Sequence, residues 1–507
     1  MTTLASREMV IAAWALVLVL MAVILGIVVR AARRTRSVDD YALGTVAFSP
    51  VAVGLALAAS MTSAATFIIN PGFIALYGVS GVISYAVMLP VAAMVSLVVL
   101  TKGFRRHGQT VKALSLAQWM GTRWNSRAYA FFFAVLSLLL VTFVVLIVVG
   151  LTKVLAAALG APQMPVLWGL IAFVFGYMMF GGANSMVYTN TVQACLMIVV
   201  AVVLLGSGHD RFAAGVGGLL DQLRAVDPAL ARVPNPGSFL FRDWLEIGLA
   251  QIVVGVAIVC QPHIITKSLL LKTDRDVNRY LAVGVAVEML FFAVVVAGLY
   301  ARLAFPDLTA GGHALKMDDI IPAYVVAEFP VWIGLVVVLG LIAAGLSTLE
   351  GLIQSLGTTI TADLVAPLAG GLLPAAGPAR DRALLRVNRG AIVALAVAAG
   401  VLSRDQLLNP RLSVAIFAQN GVYAYFAAAF VPILFGMFRP GASRAAVMAA
   451  SVVAIAVHFP MHYLDIAVPG ALASGRNPGV AAAVAIVVSV AAGVGLDLVL
   501  GRGRRAS

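Results

Sequence analysis

Ala344, Ser347 and Thr348 stand at i, i+3 and i+4 within the stretch Leu341–Leu364, LIAAGLSTLEGLIQSLGTTITADL. That spacing puts them on one face of a helix. The preceding run, Val331–Leu339, is purely apolar, so the face lies at the depth of a bilayer. Two hydroxyls and a carbonyl converging away from water are a poor lipid surface but a workable cage for a small hard cation. The competing role is self-satisfaction, with each hydroxyl bonded to a carbonyl one turn back, which is common in membrane helices. Glu350, three residues after Ser347, sets a carboxylate on an adjoining face. At the bilayer centre an isolated acidic side chain costs roughly 2.5–3.5 kcal/mol, so it needs a partner, a cation or a proton. Glu288 poses the same question, and the sequence names no partner for it.

The elements that must position these groups are membrane helices. Of 507 residues, 62% are hydrophobic and 11% charged, whereas charged residues approach a quarter of a soluble domain. Apolar runs of about 20 residues, the length that crosses roughly 30 Å of hydrocarbon, recur throughout. They predict an all-α polytopic membrane protein of thirteen crossings, a leading helix followed by helices 1 to 12. The expected spans are 8–30 for the leading helix, then 48–77, 79–101, 127–158, 163–181 and 186–207 for helices 1 to 5. Helices 6 to 10 are expected at 240–268, 278–304, 331–364, 388–403 and 412–437, and helices 11 and 12 at 444–460 and 478–500. The leading segment is too long for a signal-peptide core and precedes its basic cluster. It is expected to be retained, in a chain that forms one membrane domain over 1–507 without a soluble appendage.

The net charge of +13 invites a nucleic-acid reading, but the cations form no patch interleaved with aromatics. They sit in short loops, where they set orientation. With the N-terminus outside and the C-terminus inside, 23 of the 34 Lys and Arg fall on inner loops and 10 on outer ones, several of the latter in long loops that count less. Cys195 and Cys260 lie in or beside apolar segments, which leaves no disulfide framework or metal–thiolate cluster. The outer connections 208–239 and 305–330 carry amphipathic stretches, Leu219–Val226 and Asp318–Glu328, expected to cap an outer vestibule. Helix 1 has a polar, Pro-Gly-interrupted middle (Ser60–Gly72), and helix 6, five crossings later, has another (Cys260–Ser268). Interrupted helices in corresponding positions of two oppositely oriented halves are the best sequence pointer to a transporter's binding site.

Four motifs resemble the sodium:solute symporter family, which includes bacterial proline, pantothenate, monocarboxylate and sodium–galactose transporters. They are ASMTSAATFIINPGFIALYG in helix 1, GGANSMVYTNTVQACLM in helix 5, GVAIVCQPHIITKSLLLKTDRDV in helix 6 and AAGLSTLEGLIQSLGTTITADL in helix 8. In order, they cover roughly Arg36–Arg439. The resemblance implies a LeuT-type fold with two inverted five-helix repeats, 48–207 and 240–437, broken helices 1 and 6, and extra helices at 8–30 and 444–500. It implies Na⁺ as coupling ion, held by the carbonyls of Ala59, Thr62 and Ala344 and the hydroxyls of Ser347 and Thr348, with no organic cofactor. Neutral oxygens bind a hard cation yet let it leave, and carbonyls become free only where a helix unwinds.

Two departures stand out. The family position after the Thr of helix 5 is often Asp and is linked to a further cation, whereas here it is Asn190. The expectation is that the carboxylate has moved to helix 8, so that Glu350 with Asn190 holds a second cation or a proton. The alternative is a protonated Glu350 hydrogen-bonded to a neighbouring helix. Ser63, Thr66, Gln261 and His263 are expected to contact solute, with Tyr188 and Gln193 as further candidates. Lys153 is expected to snorkel at the outer end of helix 3, and Lys267 lies toward the inner end of helix 6. Gln354, Ser355, Thr358, Thr359 and Asp363 form a polar stripe leading inward.

The expected activity is sodium-coupled symport, by alternating access, of a small organic solute (a carboxylate, a pantothenate-like acid or an amino acid) across the bacterial inner membrane. The expected partners are that solute and the lipid bilayer, with no nucleic acid. A non-transporting sensor or channel of the same fold is one alternative. An intramembrane enzyme built on His263 and Glu350 is another, and nothing in the spacing ties that pair together. The sequence does not fix the solute or the oligomeric state.

Overall fold

The computed structural model describes residues 7–44, 48–111, 113–271, 273–369, 371–409 and 413–505. Lys112, Lys272 and Arg411, which entered the charge tally, lie outside the described residues. Among the described residues, eleven helices are long and apolar enough to cross a membrane, and the number is thirteen, as expected, when each of two bent pairs counts as one span. Helices 8 and 10 run through the centre of the bundle, whereas the leading helix, Val10–Ala32, is mostly exposed at its edge.

Helix ends depart from the hydropathy reading where caps carry the helix into the polar region. Helix 9 runs Pro378–Leu408, starting ten residues before the expected 388. Its start follows Gly377 at φ 78°, with Pro378 in the first turn, where the missing N–H costs nothing. Helix 7 starts at Asp274, after a capping box in which Thr273 and Asp276 satisfy each other's backbone N–H. Such signals are polar, so an apolar window cannot see them.

The two interruptions bend their helices almost equally. Helix 1 consists of Pro50–Met61 and Ala65–Tyr77 at 55°, and helix 6 of Leu245–Ile258 and Pro262–Leu270 at 56°. In helix 1 the break falls inside the expected Ser60–Gly72 stretch, at Thr62, nine residues before Pro71 rather than at the Pro-Gly pair itself. Thr62 is extended (φ −99°, ψ 106°), and Pro71 and Gly72 lie in the following segment Asn70–Tyr77, after a π-helical turn over Ala65–Ile69. Proline in a first turn needs no N–H, so it does not break the chain there. Gly72 serves close packing instead: a Cβ at that position would meet the Met317 carbonyl, and one at Gly298 of helix 7 would meet the Pro71 carbonyl. In helix 6 the break falls where expected, with extended Gln261 followed by Pro262.

Both long connections fold over the end of the bundle that carries them. The first holds the helix Gly215–Val226, with Leu219 and Leu223 buried. The second holds a small hairpin (Thr309–Ala310 with His313–Ala314) and the helix Ile320–Glu328. That hairpin is the sole named strand pair among the described residues, with one isolated bridge between Ala467 and Ser474, and the structure is mostly helical, as expected.

Candidate functional site

The extended turn at Thr62 frees the carbonyls that end the first half of helix 1, and helix 8 passes directly against them. Ser347 Oγ donates to the carbonyls of Ala59 (2.6 Å) and Ala344 (3.1 Å). Thr348 Oγ1 lies 3.4 Å from the carbonyls of Ala59 and Ala344 and 3.5 Å from that of Thr62. All five residues are fully buried. The two hydroxyls therefore satisfy themselves partly on their own helix and partly across to helix 1, 288 residues away in sequence. Five oxygens and no nitrogen meet in this cluster, a donor set suited to a hard cation rather than a soft one.

Asn190 and Glu350 do not form the expected pair. Asn190 Nδ2 donates to Ser60 Oγ (2.9 Å) and the Ser347 carbonyl (3.4 Å), and so ties helix 5 to the cluster's outer side. Glu350 accepts from Tyr177 (2.6 Å), Thr189 (2.6 Å) and Gln193 (3.2 Å). Helix 4 supplies that tyrosine, which the sequence reading missed: a lone Tyr in an apolar run looks like core until its partner helix is known. Glu288 also gains a partner, because Thr62 Oγ1 donates to its Oε2 at 2.5 Å. Thr62 thus acts twice, its carbonyl toward helix 8 and its side chain toward helix 7.

Ser63, Thr66 and Gln261 line one cavity of about 90 Å³ beside the cluster. Tyr85, Tyr423 and Phe292 supply aromatic wall that sequence reasoning did not single out, with Gln419 as a polar group. His263 is not part of it. Its ring lines a second cavity of about 30 Å³, with Lys267, Gln354, Ser355 and Thr358. The helical turn after Pro262 rotates it away from Gln261. Tyr188 is 48% exposed and packs on Phe48 at the bundle surface, and Gln193 is taken by Glu350; neither lines the larger cavity.

The polar stripe of helix 8 is tied to its surroundings. Gln354 donates to the carbonyls of Tyr41 (3.1 Å) and Ala42 (2.7 Å), and Ser115 donates to Asp363 at 2.5 Å. Lys153 does not simply snorkel. It pairs with Asp319 (3.2 Å) and Asp318 (3.6 Å), and Ser413 at the start of helix 10 donates to Asp318 at 2.9 Å. Burial holds the Asp318 carboxyl above its ordinary value of 3.8, while Lys153 and Ser413 pull it back.

A helical membrane bundle with two similarly broken spans is the architecture of the LeuT-type fold. A solved structure of a Na⁺-coupled sialic acid symporter in a substrate-bound, outward-open state shares that fold: TM-score 0.76, 17% identity, 95% of this chain and 97% of that one. The sequence profile of the sodium:solute symporter family matches residues 41–453. The chain belongs to the sodium:solute symporter family. Among curated relatives, the sodium/pantothenate symporter of Escherichia coli (strain K12) is 30% identical over 297 residues, 57% of this chain and 60% of the relative. That of Haemophilus influenzae (strain ATCC 51907 / DSM 11121 / KW20 / Rd) is 25% identical over 330 residues, 64% of this chain and 66% of the relative. Both matches cover less than two thirds of the relative's length.

Proposed function

We propose that this protein is a secondary active symporter that imports a small organic solute together with Na⁺. The observation that carries the reading is the meeting of Ser347 and Thr348 with the carbonyls of Ala59, Thr62 and Ala344 at a helix break. The sodium ion takes those five oxygens as ligands, and in doing so pins helix 1 to helix 8. Asn190, bonded to Ser60 and the Ser347 carbonyl, holds the two backbones in register. Glu350, with Thr189 and Gln193, is the second cation or proton site. Solute sits in the cavity of Ser63, Thr66 and Gln261. The aromatic wall there favours a solute with an apolar body, and the family's pantothenate members support an organic acid.

The unit that does this is the pair of inverted repeats 48–207 and 240–437, flanked by the leading helix and by 444–500. Rocking of helices 1, 2, 6 and 7 against the remainder exposes the cavity to one side and then the other. The charge bias of the loops supports an N-terminus outside and a C-terminus in the cytoplasm of a bacterial inner membrane. A potential of 100 mV supplies about 2.3 kcal/mol per charge, and a tenfold sodium gradient adds about 1.4 kcal/mol. One ion is then enough for roughly several-hundred-fold accumulation of a neutral solute. Among the described residues His263 and Glu350 share no hydrogen bond, so the pair considered for catalysis gives that reading no support.

A thermal-shift screen of small carboxylates, amino acids and sugars, each in sodium and in potassium, should find solutes that stabilise only in sodium. The hit should accumulate in proteoliposomes under a sodium gradient. Equal uptake in choline medium would refute the reading.

A further inference from the structure

The smaller cavity has a wall that the sodium reading leaves unused. Lys267 Nζ, both ring nitrogens of His263 and Thr358 Oγ1 are buried and make no hydrogen bond. The three residues are 3%, 4% and 2% exposed, and all line that cavity. His263 and Lys267 sit one turn apart on the second half of helix 6, and Thr358 faces them from helix 8.

The carboxylates nearby are engaged elsewhere. Glu350, whose field reaches Lys267, is bound by Tyr177, Thr189 and Gln193, and no ion pair joins it to Lys267 among the described residues. Asp363 is held by Ser115, which also lines the cavity. An amine, an imidazole with an N–H in either tautomer and a hydroxyl, all without a partner, therefore belong to residues that line one space. Together they are a donor set for an anionic oxygen pair. A buried amine with no ion-pair partner is costly to charge, and an anion entering the cavity offsets that cost. About 30 Å³ admits a group little larger than a water, so a carboxylate head fits and a whole solute does not. Phe143 lines the larger cavity, and its ring centre lies 6.2 Å from that of His263, so the two cavities are neighbours.

We propose that Lys267, His263 and Thr358 form a carboxylate-binding station beside the solute cavity, which receives the acidic head of the solute on its way inward. The station rests on the transport reading for its role, but its binding chemistry can be measured alone. Saturation-transfer NMR on the purified full-length protein, in potassium buffer without sodium, reads binding of acetate directly. The wild type should saturate the acetate methyl signal. Lys267→Met should lower it about fivefold or more, as loss of a charge-assisted contact implies, while Lys267→Arg keeps most of it. Thr358→Val, the milder change if Lys267→Met does not fold, should weaken it about threefold.

Equal acetate signals in wild type and Lys267→Met would overturn the station, and so would full displacement of acetate by equimolar chloride, which would make the cavity a halide site. Binding of ²²Na⁺ to the same samples separates the two proposals. Absent sodium binding with a lysine-dependent acetate signal refutes the transport reading and supports the station. Normal sodium binding with lysine-independent acetate does the reverse.

Discussion

At the scale of single residues, Thr62 and Glu350 show what a sequence can and cannot reveal. Ser347 and Thr348 were legible because they stand three and four residues after Ala344 in one apolar helix, and that spacing is visible without knowing any partner. The Thr62–Glu288 bond joins residues 226 apart on different helices, so neither residue type nor spacing announces it. The same applies to Tyr177 against Glu350, and to Asn190, whose partners are Ser60 and the Ser347 carbonyl rather than Glu350. Removing the Thr62 hydroxyl leaves a buried carboxyl group short of its donor. Thr62→Val is therefore expected to destabilise the protein by about 1–3 kcal/mol, read as a lowered unfolding temperature in detergent. Glu288→Gln in the Thr62→Val background should recover part of that loss, and a Thr62→Val protein as stable as wild type would contradict the assignment. Glu350→Gln keeps the shape of the Tyr177–Thr189–Gln193 pocket but cannot carry a charge. It should change the sodium stoichiometry or the pH dependence of uptake, and unchanged values for both would remove Glu350 from the coupling machinery.

At the scale of elements, the breaks matter more than the spans. Helix count followed from hydropathy because lipid thickness sets a length, and the break in helix 6 was visible because Pro262 follows an extended Gln261. The break in helix 1 was legible only to within Ser60–Gly72, because Pro71 and Gly72 look like breakers in a sequence while Thr62 does not. In the structure they lie beyond the bend, Gly72 packing on the connection that carries Met317. That connection is fastened by Lys153 of helix 3 and Ser413 of helix 10 through Asp318 and Asp319. Asp318 has its pKa raised by burial, so the folded state holds that proton more tightly than the unfolded chain does. Its contribution to stability is full below pH 3.8 and is lost as pH rises through the raised value. Asp318→Asn has no such titration. The unfolding temperature of wild type should fall relative to that variant as pH rises from below 3.8 to neutrality. A constant difference across that range would contradict the burial of the carboxyl.

At the scale of the whole molecule, the fold gathers the oxygen cluster, our proposed sodium site, from contacts that no single segment contains. Helix 1 unwinds, helix 8 presents two hydroxyls, helix 5 locks them, and helix 7 holds the broken end through Glu288. The aromatic wall of the larger cavity was invisible in the sequence because Tyr85 and Tyr423 come from helices 2 and 10, and each alone reads as core. Sodium should therefore bind before any solute is known, and its loss should follow from the helix 8 hydroxyls alone. The direct test is equilibrium binding of ²²Na⁺ to purified wild type and to the Ser347→Ala/Thr348→Ala double variant. Each lost ligand is expected to weaken binding about tenfold, as a hydrogen-bond-strength contact to a charge implies, so saturable binding in wild type should vanish in the double variant. Equal sodium binding by the two proteins, or none by wild type, would contradict the account.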